Sequence, residues 1–265
     1  MKGFKGVKRL VVKVGTSSLT YGTGLVNMRK IEELCEVLSD IKNSGTEVVL
    51  VSSGAIAVGF SKLSMEHYPR EMSERQACAA VGQCELMYFY DKFFKEYNQK
   101  TAQILLTWED LESEKRKKNV ENTFKTLLSM SAIPIVNEND TVSTEEISFG
   151  DNDTLSARVA ALINADGLVL LSDIDGLFDR NPNEDKNAKL IRFVESITPE
   201  IEKMAGGAGT SRGTGGMATK IEAAGIAASV GCATCIMNSA DMRRIYDLLE
   251  GKEVGTVFAP KEVKA

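Results

Sequence analysis

Histidine is almost absent from this chain of 265 residues: His67 is the only one. Histidine is the usual proton shuttle near neutral pH and a frequent metal ligand, so Ser–His, Cys–His and His–metal chemistries are closed unless His67 itself serves. Cysteine is sparse too. Five in a chain this long make no disulfide framework. Cys232 and Cys235 form a CxxC, but the surrounding GCATCIMNS reads as a buried strand, and no second CxxC or nearby histidine completes a zinc site. Long apolar runs are also missing. None approaches the roughly 18 residues of a membrane span, and the opening MKGFKGVKRLVVKVG is too short in apolar residues for a signal peptide. A cytoplasmic protein with no membrane partner is expected. Positive charge is not in excess either. Lys plus Arg total 32 against 37 Asp plus Glu, a net charge of -5, which argues against nucleic acid as a partner. The densest basic run, KRKK at 115–118, lies among Glu112, Glu114 and Glu121 and reads as the solvated face of a helix. There is no internal repeat, no Pro-rich or Ser-rich linker, and no GxxxxGK[ST] phosphate loop.

What is present is an alternation of short β-rich runs with amphipathic stretches. Strands are expected at Arg9–Val14, Glu47–Val51, Thr101–Leu106, Ile133–Val136, Gly167–Leu171 and Cys232–Met237, with Val257 and Phe258 as a last edge. Helices are expected over Asn27–Asn43, where Ile31, Leu34, Val37, Leu38 and Ile41 fall at helical spacing. Further helices are expected from Ala55, after Glu71, over Glu114–Met130, from about Asn152 and over Gly216–Val230. Such alternation predicts an α/β fold with a mostly parallel sheet. Runs such as VVLV and LVLL, with little alternation of their own, fit strands covered on both faces. The glycine-rich segment Ala205–Gly216 (AGGAGTSRGTGG) is unlike the rest and is a functional candidate.

In α/β sheets ligands sit beyond the carboxyl ends of the strands, and five segments of this chain fall there. Lys13-Val14-Gly15-Thr16-Ser17 puts a lysine before a small-residue turn, suited to phosphate oxygens, although a surface lysine before an ordinary turn reads the same. Ser52-Ser53-Gly54-Ala55 allows close approach of a ligand, or supplies an N-cap. Asn137-Glu138-Asn139-Asp140 suits a ligand bearing an ammonium group, or makes a turn. In FGDNDTLSARVA, one of Asp151 and Asn152 suffices as a helix cap. Asp151, Asn152 and Asp153 together exceed that need, and adjacent carboxylates repel unless cations are near. Gly213–Lys220 (GTGGMATK) leads a glycine loop into a helix start carrying Thr219 and Lys220, as phosphate binding requires. Two lysines, two glycine turns and a cluster of acids and amides suggest phosphoryl transfer.

These motifs, in this order, resemble the amino acid kinase family. VVKVGTSSL, VLVSSGAIAVG, AAVGQ, ILLT, IPIVNENDTV, FGDNDTLSA, LLSDIDGLF, GTGGMATK and GTVF carry the resemblance from Arg9 to Phe258, and the run of NENDTV, GDNDTLSA and GTGGMATK is the specific part. The resemblance implies a three-layer open α/β/α sandwich around a mostly parallel sheet of about eight strands. It implies ATP-dependent phosphorylation of the γ-carboxylate of L-glutamate, the first step towards proline, with ATP and magnesium as cofactors. Lys13, Lys220 and Asp153 match the catalytic positions, Asp153 as the acid that orients the lysines. Ser53, Gly54, Asn137, Asp140 and Asn152 match the glutamate side, with Asp151 open between capping and substrate contact. Lys13, Gly15, Ser172, Asp173, Thr214, Gly215, Gly216, Met217, Ala218, Thr219 and Lys220 match the nucleotide side. Magnesium is expected to be held mainly by ATP.

The resemblance further implies a homo-oligomer, dimer or tetramer, and proline as a possible feedback inhibitor. Residues 1–265 are expected to be one kinase domain, amino-acid-binding in its N-terminal part and nucleotide-binding from about 165. No PUA domain, which many members of the family add at the C-terminus, is expected. Two rival readings stand beside this one. The first is a kinase of the same fold acting on aspartate, acetylglutamate or UMP. The second is an amino-acid-sensing protein without catalysis.

Overall fold

The structure is a computed structural model, and it describes residues 3–142, 152–182, 184–205 and 216–261. The chain divides into two compact units: Met1–Lys13 with Gly150–Ala265, and Val14–Phe149. Eight strands among the described residues belong to a mostly parallel sheet flanked by helices.

In the unit Val14–Phe149 the elements are α1 (Thr16–Leu19), α2 (Met28–Asn43), β2 (Glu47–Ser52), α3 (Ala55–Lys62), α4 (Met72–Glu96), β3 (Lys100–Leu106), α5 (Trp108–Glu112), α6 (Glu114–Ser129) and β4 (Ala132–Glu138). The strands run β3-β4-β2, all parallel. Helix α2 forms as its spacing predicts. Ile31, Leu34, Val37, Leu38 and Ile41 are all buried, and the Asn27 side chain caps the first turn by accepting from the Lys30 N–H at 3.3 Å. The basic run 115–118 lies exposed on α6, with Arg116 paired to Glu109 and Lys118 to Glu121.

Helices α3 and α4 meet backbone to backbone. A Cβ on Gly59 would run into the Cys78 carbonyl, and one on Gly82 into the Ala55 carbonyl and the Gly59 nitrogen. Only hydrogen fits at either position. The buried stripe of α4, namely Cys78, Ala79, Gly82, Gln83, Leu86, Tyr90 and Phe94, recurs every three to four residues and faces inward.

The other unit holds β1 (Arg9–Val14, its last residue counted with the other unit), α7 (Asn152–Leu162), β5 (Gly167–Ser172), β6 (Phe193–Val194), α8 (Pro199–Ala205), α9 (Met217–Ser229), β7 (Ala233–Asn238), α10 (Arg244–Leu249) and β8 (Thr256–Phe258). Its strand order is β1-β5-β7-β8-β6. β5 pairs with β7 and β6 with β8 in parallel, while β7 and β8 are antiparallel. Leu10, Val11 and Val12 of β1 and Leu168, Val169 and Leu170 of β5 are fully buried, as strands covered on both faces require. Cys232 and Cys235 are free, buried thiols; burial pushes Cys232 up to about 12 and Cys235 higher still. They are packing residues of the β7 strand region. Among the described residues no helix is long and apolar enough to cross a membrane.

In an exposed helix, Gly→Ala stabilises by up to about 1 kcal/mol. Gly82→Ala should do the opposite, destabilising by roughly 3 kcal/mol or more because backbone, not a mobile side chain, blocks the methyl. Urea unfolding of the variant checks the sign.

Candidate active site

Lys13, at the end of β1, points its ammonium at the carboxylate of Asp153 in the first turn of α7, with Nζ to Oδ1 at 2.5 Å. Lys220, in the first turns of α9, reaches the other oxygen, Nζ to Oδ2 at 3.0 Å. All three belong to the same unit. Asp153 is fully buried, and the lysines are 4% and 6% exposed. Thr219 Oγ1 adds a hydrogen bond to Asp153 Oδ2 at 3.3 Å and one to the Gly216 carbonyl at 2.9 Å, which ties the mouth of α9 to the same carboxylate.

The electrostatics are one-sided. Burial disfavours the charged form of Asp153, yet the two ammonium groups beside it outweigh burial and hold its carboxyl down at about 2. Two cations face the one carboxylate, one on each of its oxygens. The starts of α7 and α9 also converge here, and each helix N-terminus carries roughly half a positive charge on its free N–H groups. A lysine in the first turn of a helix opposes that dipole. The helix start therefore does not favour Lys220; what offsets the cost is its pairing with Asp153, and the arrangement is chemically suited to an anion.

The remaining nucleotide-side candidates sit on several elements. Ser172 ends β5, nearly buried, and its hydroxyl donates to Asp173 Oδ1 at 3.2 Å, while Asp173 is exposed. Gly216 is the extended residue before α9, with nothing within 4 Å of where a Cβ would stand. Met217 is half-buried and Ala218 exposed on the first turn of α9. Gly15, at the start of the other unit, precedes α1 in extended backbone. Asp151, Thr214 and Gly215 lie outside the described residues.

The unit Val14–Phe149 carries the acceptor-side candidates. Leu50 pairs with Ile135 and Val51 with Val136; continuing that register sets Ser52 beside Asn137 at the carboxyl ends of β2 and β4. Neither serine caps α3. Its N-cap is Gly54, held at φ +102° and without a side-chain cap bond. Ser52 instead hydrogen-bonds the buried Tyr90 hydroxyl at 2.7 Å, and the Ser53 N–H donates to the Val14 carbonyl at 3.1 Å. Asn137 is 2% exposed. Its Nδ2 donates to Gln83 Oε1 at 2.9 Å and its Oδ1 accepts the Glu138 N–H at 2.9 Å. Asn139 opens a turn, with the Val142 N–H donating to its carbonyl, so the turn reading of this motif is met along with its polarity. Asp140 is raised to about 6 by burial and by the nearby Glu138 charge, against the opposing pull of Arg75. Asn152 is half-buried at the start of α7, in the same unit as Asp153.

Two polar neighbours of this set carry no role in a reading of the sequence. Gln83 clasps Asn137 from 54 positions away; it is visible in the sequence only as the last letter of AAVGQ. Arg75 acts on Asp140 from the first turns of α4. A polar residue on the buried stripe of a helix is the one signal that picks out Gln83 beforehand.

The motif order described is matched by comparison with known proteins. The model of the amino acid kinase family matches residues 8–238. The chain belongs to the amino acid kinase family. Within it, the glutamate 5-kinase of Clostridium perfringens is 54% identical over 98% of this chain and 98% of its own length. That of Carboxydothermus hydrogenoformans is 54% identical over 98% of this chain and 70% of its own. Among solved structures, the family fold is matched by a carbamate kinase from Giardia lamblia bound to AMP-PNP, with a TM-score of 0.70 at 16% identity over 96% of this chain and 99% of that one. The isopentenyl phosphate kinase of T. acidophilum gives a TM-score of 0.64 at 17% identity, covering 94% and 99%.

Asp153 should leave a mark on stability. Its folded carboxyl lies below the ordinary carboxylate value, so its contribution is full above about pH 4 and is lost as pH falls towards 2. Asp153→Asn leaves two buried ammonium groups without their partner and should cost about 3–5 kcal/mol at pH 7. Urea midpoints of the two proteins should converge as pH is lowered from 6 to 2.5; a constant gap would show that the pair does not titrate as described.

Proposed function

We propose that this protein transfers the γ-phosphoryl group of ATP to the side-chain carboxylate of L-glutamate, giving L-glutamyl 5-phosphate and ADP, the first step towards proline. The observation that carries the chemistry is the Lys13–Asp153–Lys220 arrangement. The choice of glutamate rests on relatives named glutamate 5-kinase that match nearly the whole chain.

The acceptor needs no general base. A glutamate carboxylate has a pKa of about 4.3 and is ionised at neutral pH, which is why a protein with one histidine can run this reaction. An oxygen of that carboxylate forms a bond to the γ-phosphorus as the bond to the β,γ-bridging oxygen breaks, and the electron pair leaves with ADP. The obstacle is repulsion between two anions. Lys13 and Lys220 offset the charge of the moving group, and Asp153 keeps both ammonium groups aimed without cancelling them.

Magnesium fits at one remove. The Asp153 carboxylate is engaged by the lysines, and a small, strongly hydrated ion is held well by phosphate oxygens and water. When bound it would neutralise phosphate charge. On the acceptor side Asp140 would take the substrate ammonium, with Ser53, Gly54 and Asn152 as further contacts. Asn137 would act by shaping the strand end, since its amide is engaged by Gln83. Dimer or tetramer assembly, feedback inhibition by proline, and a cytoplasmic location complete the proposal.

Lys13→Ala and Lys220→Ala should each lower kcat by roughly a thousandfold, the scale of losing one transition-state charge contact. A glutamate-dependent ADP-release assay measures this, and near-normal turnover in both would remove the mechanism. Because Asp140 is raised to about 6, its charged form is depleted as pH falls. KM for glutamate should therefore rise about fourfold between pH 8 and pH 5.5, following the ionised fraction, and Asp140→Asn should have a high KM that no longer varies with pH.

A further inference from the structure

The GTVF motif near the end of the chain takes no part in the chemistry derived so far, yet Thr256 within it is bonded to the segment that follows β5. Thr256 is fully buried at the start of β8. Its hydroxyl oxygen accepts the Leu177 N–H at 2.8 Å and its proton goes to the Ile191 carbonyl at 2.5 Å. Leu177 and Ile191 are themselves joined, the Ile191 N–H donating to the Leu177 carbonyl at 2.8 Å. The residue just before Leu177 is Gly176, at φ +149°. A Cβ there would strike Thr256 Oγ1 and stand 3.0 Å from the Thr256 nitrogen, so Gly176 is a glycine because Thr256 occupies the space.

The same segment is tied twice more, to the last residue of β7 and to the residue after it. The Ser239 N–H donates to the Ser172 carbonyl at 2.7 Å, and Asn238 Nδ2 donates to Asp175 Oδ1 at 2.8 Å. Residues 172–177 are thus fixed at their first, fourth and last positions, and Asp173 is left exposed between the ties. β8 is not the edge strand expected of Val257 and Phe258: it lies between β7 and β6, which the β7–β8 and β6–β8 ladders alone hold together, Thr256 already pairing with Ile236. The Thr256 side chain instead accepts from Leu177, at the end of the turn, and donates to Ile191, which is itself bonded to Leu177.

We propose that Thr256 is a positioning residue for nucleotide binding: its hydroxyl, with Gly176 as the fitted counterpart and Asn238 as a second tie, holds the Ser172–Leu177 turn in the shape that presents Ser172 and Asp173 to ATP. This rests on the nucleotide-side reading of those two residues. The consequence is selective. Loss of the hydroxyl loosens one wall of the ATP site and touches neither Lys13, Asp153 and Lys220 nor the acceptor residues.

The test compares Thr256→Val, Thr256→Ser, Asn238→Ala and Asp173→Ala, each measured for kcat, for KM of ATP and of glutamate, and for AMP-PNP affinity by calorimetry. Thr256→Val should raise KM for ATP and weaken AMP-PNP roughly five- to tenfold, the size expected of one buried hydrogen bond, with kcat and KM for glutamate within about twofold of the parent. Thr256→Ser, which keeps the hydroxyl, should restore ATP affinity. Asn238→Ala, at a partly exposed position, should shift ATP in the same direction and carries the test if the valine variant does not fold. Unchanged ATP affinity in Thr256→Val and Asn238→Ala, alongside a loss in Asp173→Ala, would overturn the positioning role and leave the nucleotide reading standing. No change in Asp173→Ala either would overturn both.

Discussion

Two ammonium groups and one carboxylate, all nearly or fully removed from water, hold the ends of β1, α7 and α9 to one another. Removing charges from water costs several kcal/mol per ion unless partners are close and hydrogen bonds complete. Asp153 satisfies that condition for both lysines at once and for the Thr219 hydroxyl. This geometry is therefore part of the fold as well as of the candidate site: the carboxylate that joins the three elements is also what makes two buried lysines tolerable. In the proposed reaction, the two ammonium groups and the two helix mouths are what a phosphoryl group in transit would meet.

Two aspartates in this chain illustrate how environment assigns work to one residue type. Asp153 is deeply buried, yet is held near 2 because cations sit on both oxygens. Asp140 is less enclosed, yet is raised to about 6 because burial and a neighbouring carboxylate outweigh the pull of Arg75. The first is an anion stabilised by the lysines it joins. The second is an acid whose surroundings disfavour its charge, so that a cation brought beside it, as proposed for the substrate ammonium, would favour the ionised form.

Much of this was legible in the residues. The strand ends follow from the order of small, polar motifs, and the family resemblance implied that Asp153 meets Lys13 and Lys220, which are paired with it. The long helices and the buried strands announce themselves through periodicity. What escaped has physical reasons. β6, Phe193–Val194, is two residues long and has no period to read; pairing with β8 makes it a strand. α1, α5, α8 and α10 are too short for an apolar stripe, although Pro199 at the first position of α8 is a local start signal. Ser52 and Ser53 look like cap residues, but the turn before α3 needs a positive φ, so Gly54 takes the N-cap. Gln83 with Asn137, and Thr256 with Leu177, are pairs separated by 54 and 79 positions, and nothing in a local pattern couples them.

The glycine contact between α3 and α4 has a meaning beyond packing. Gln83 follows Gly82 directly, and Gly54 caps the start of α3, so one point of backbone touch fixes the separation between the turn before α3 and the clasp on Asn137. The contact works as a gauge block whose thickness is set by missing atoms. Adding a single methyl on α4 would be registered at the far end of β4. What bars a side chain at Gly59 and Gly82 is a matter of length rather than of chemistry.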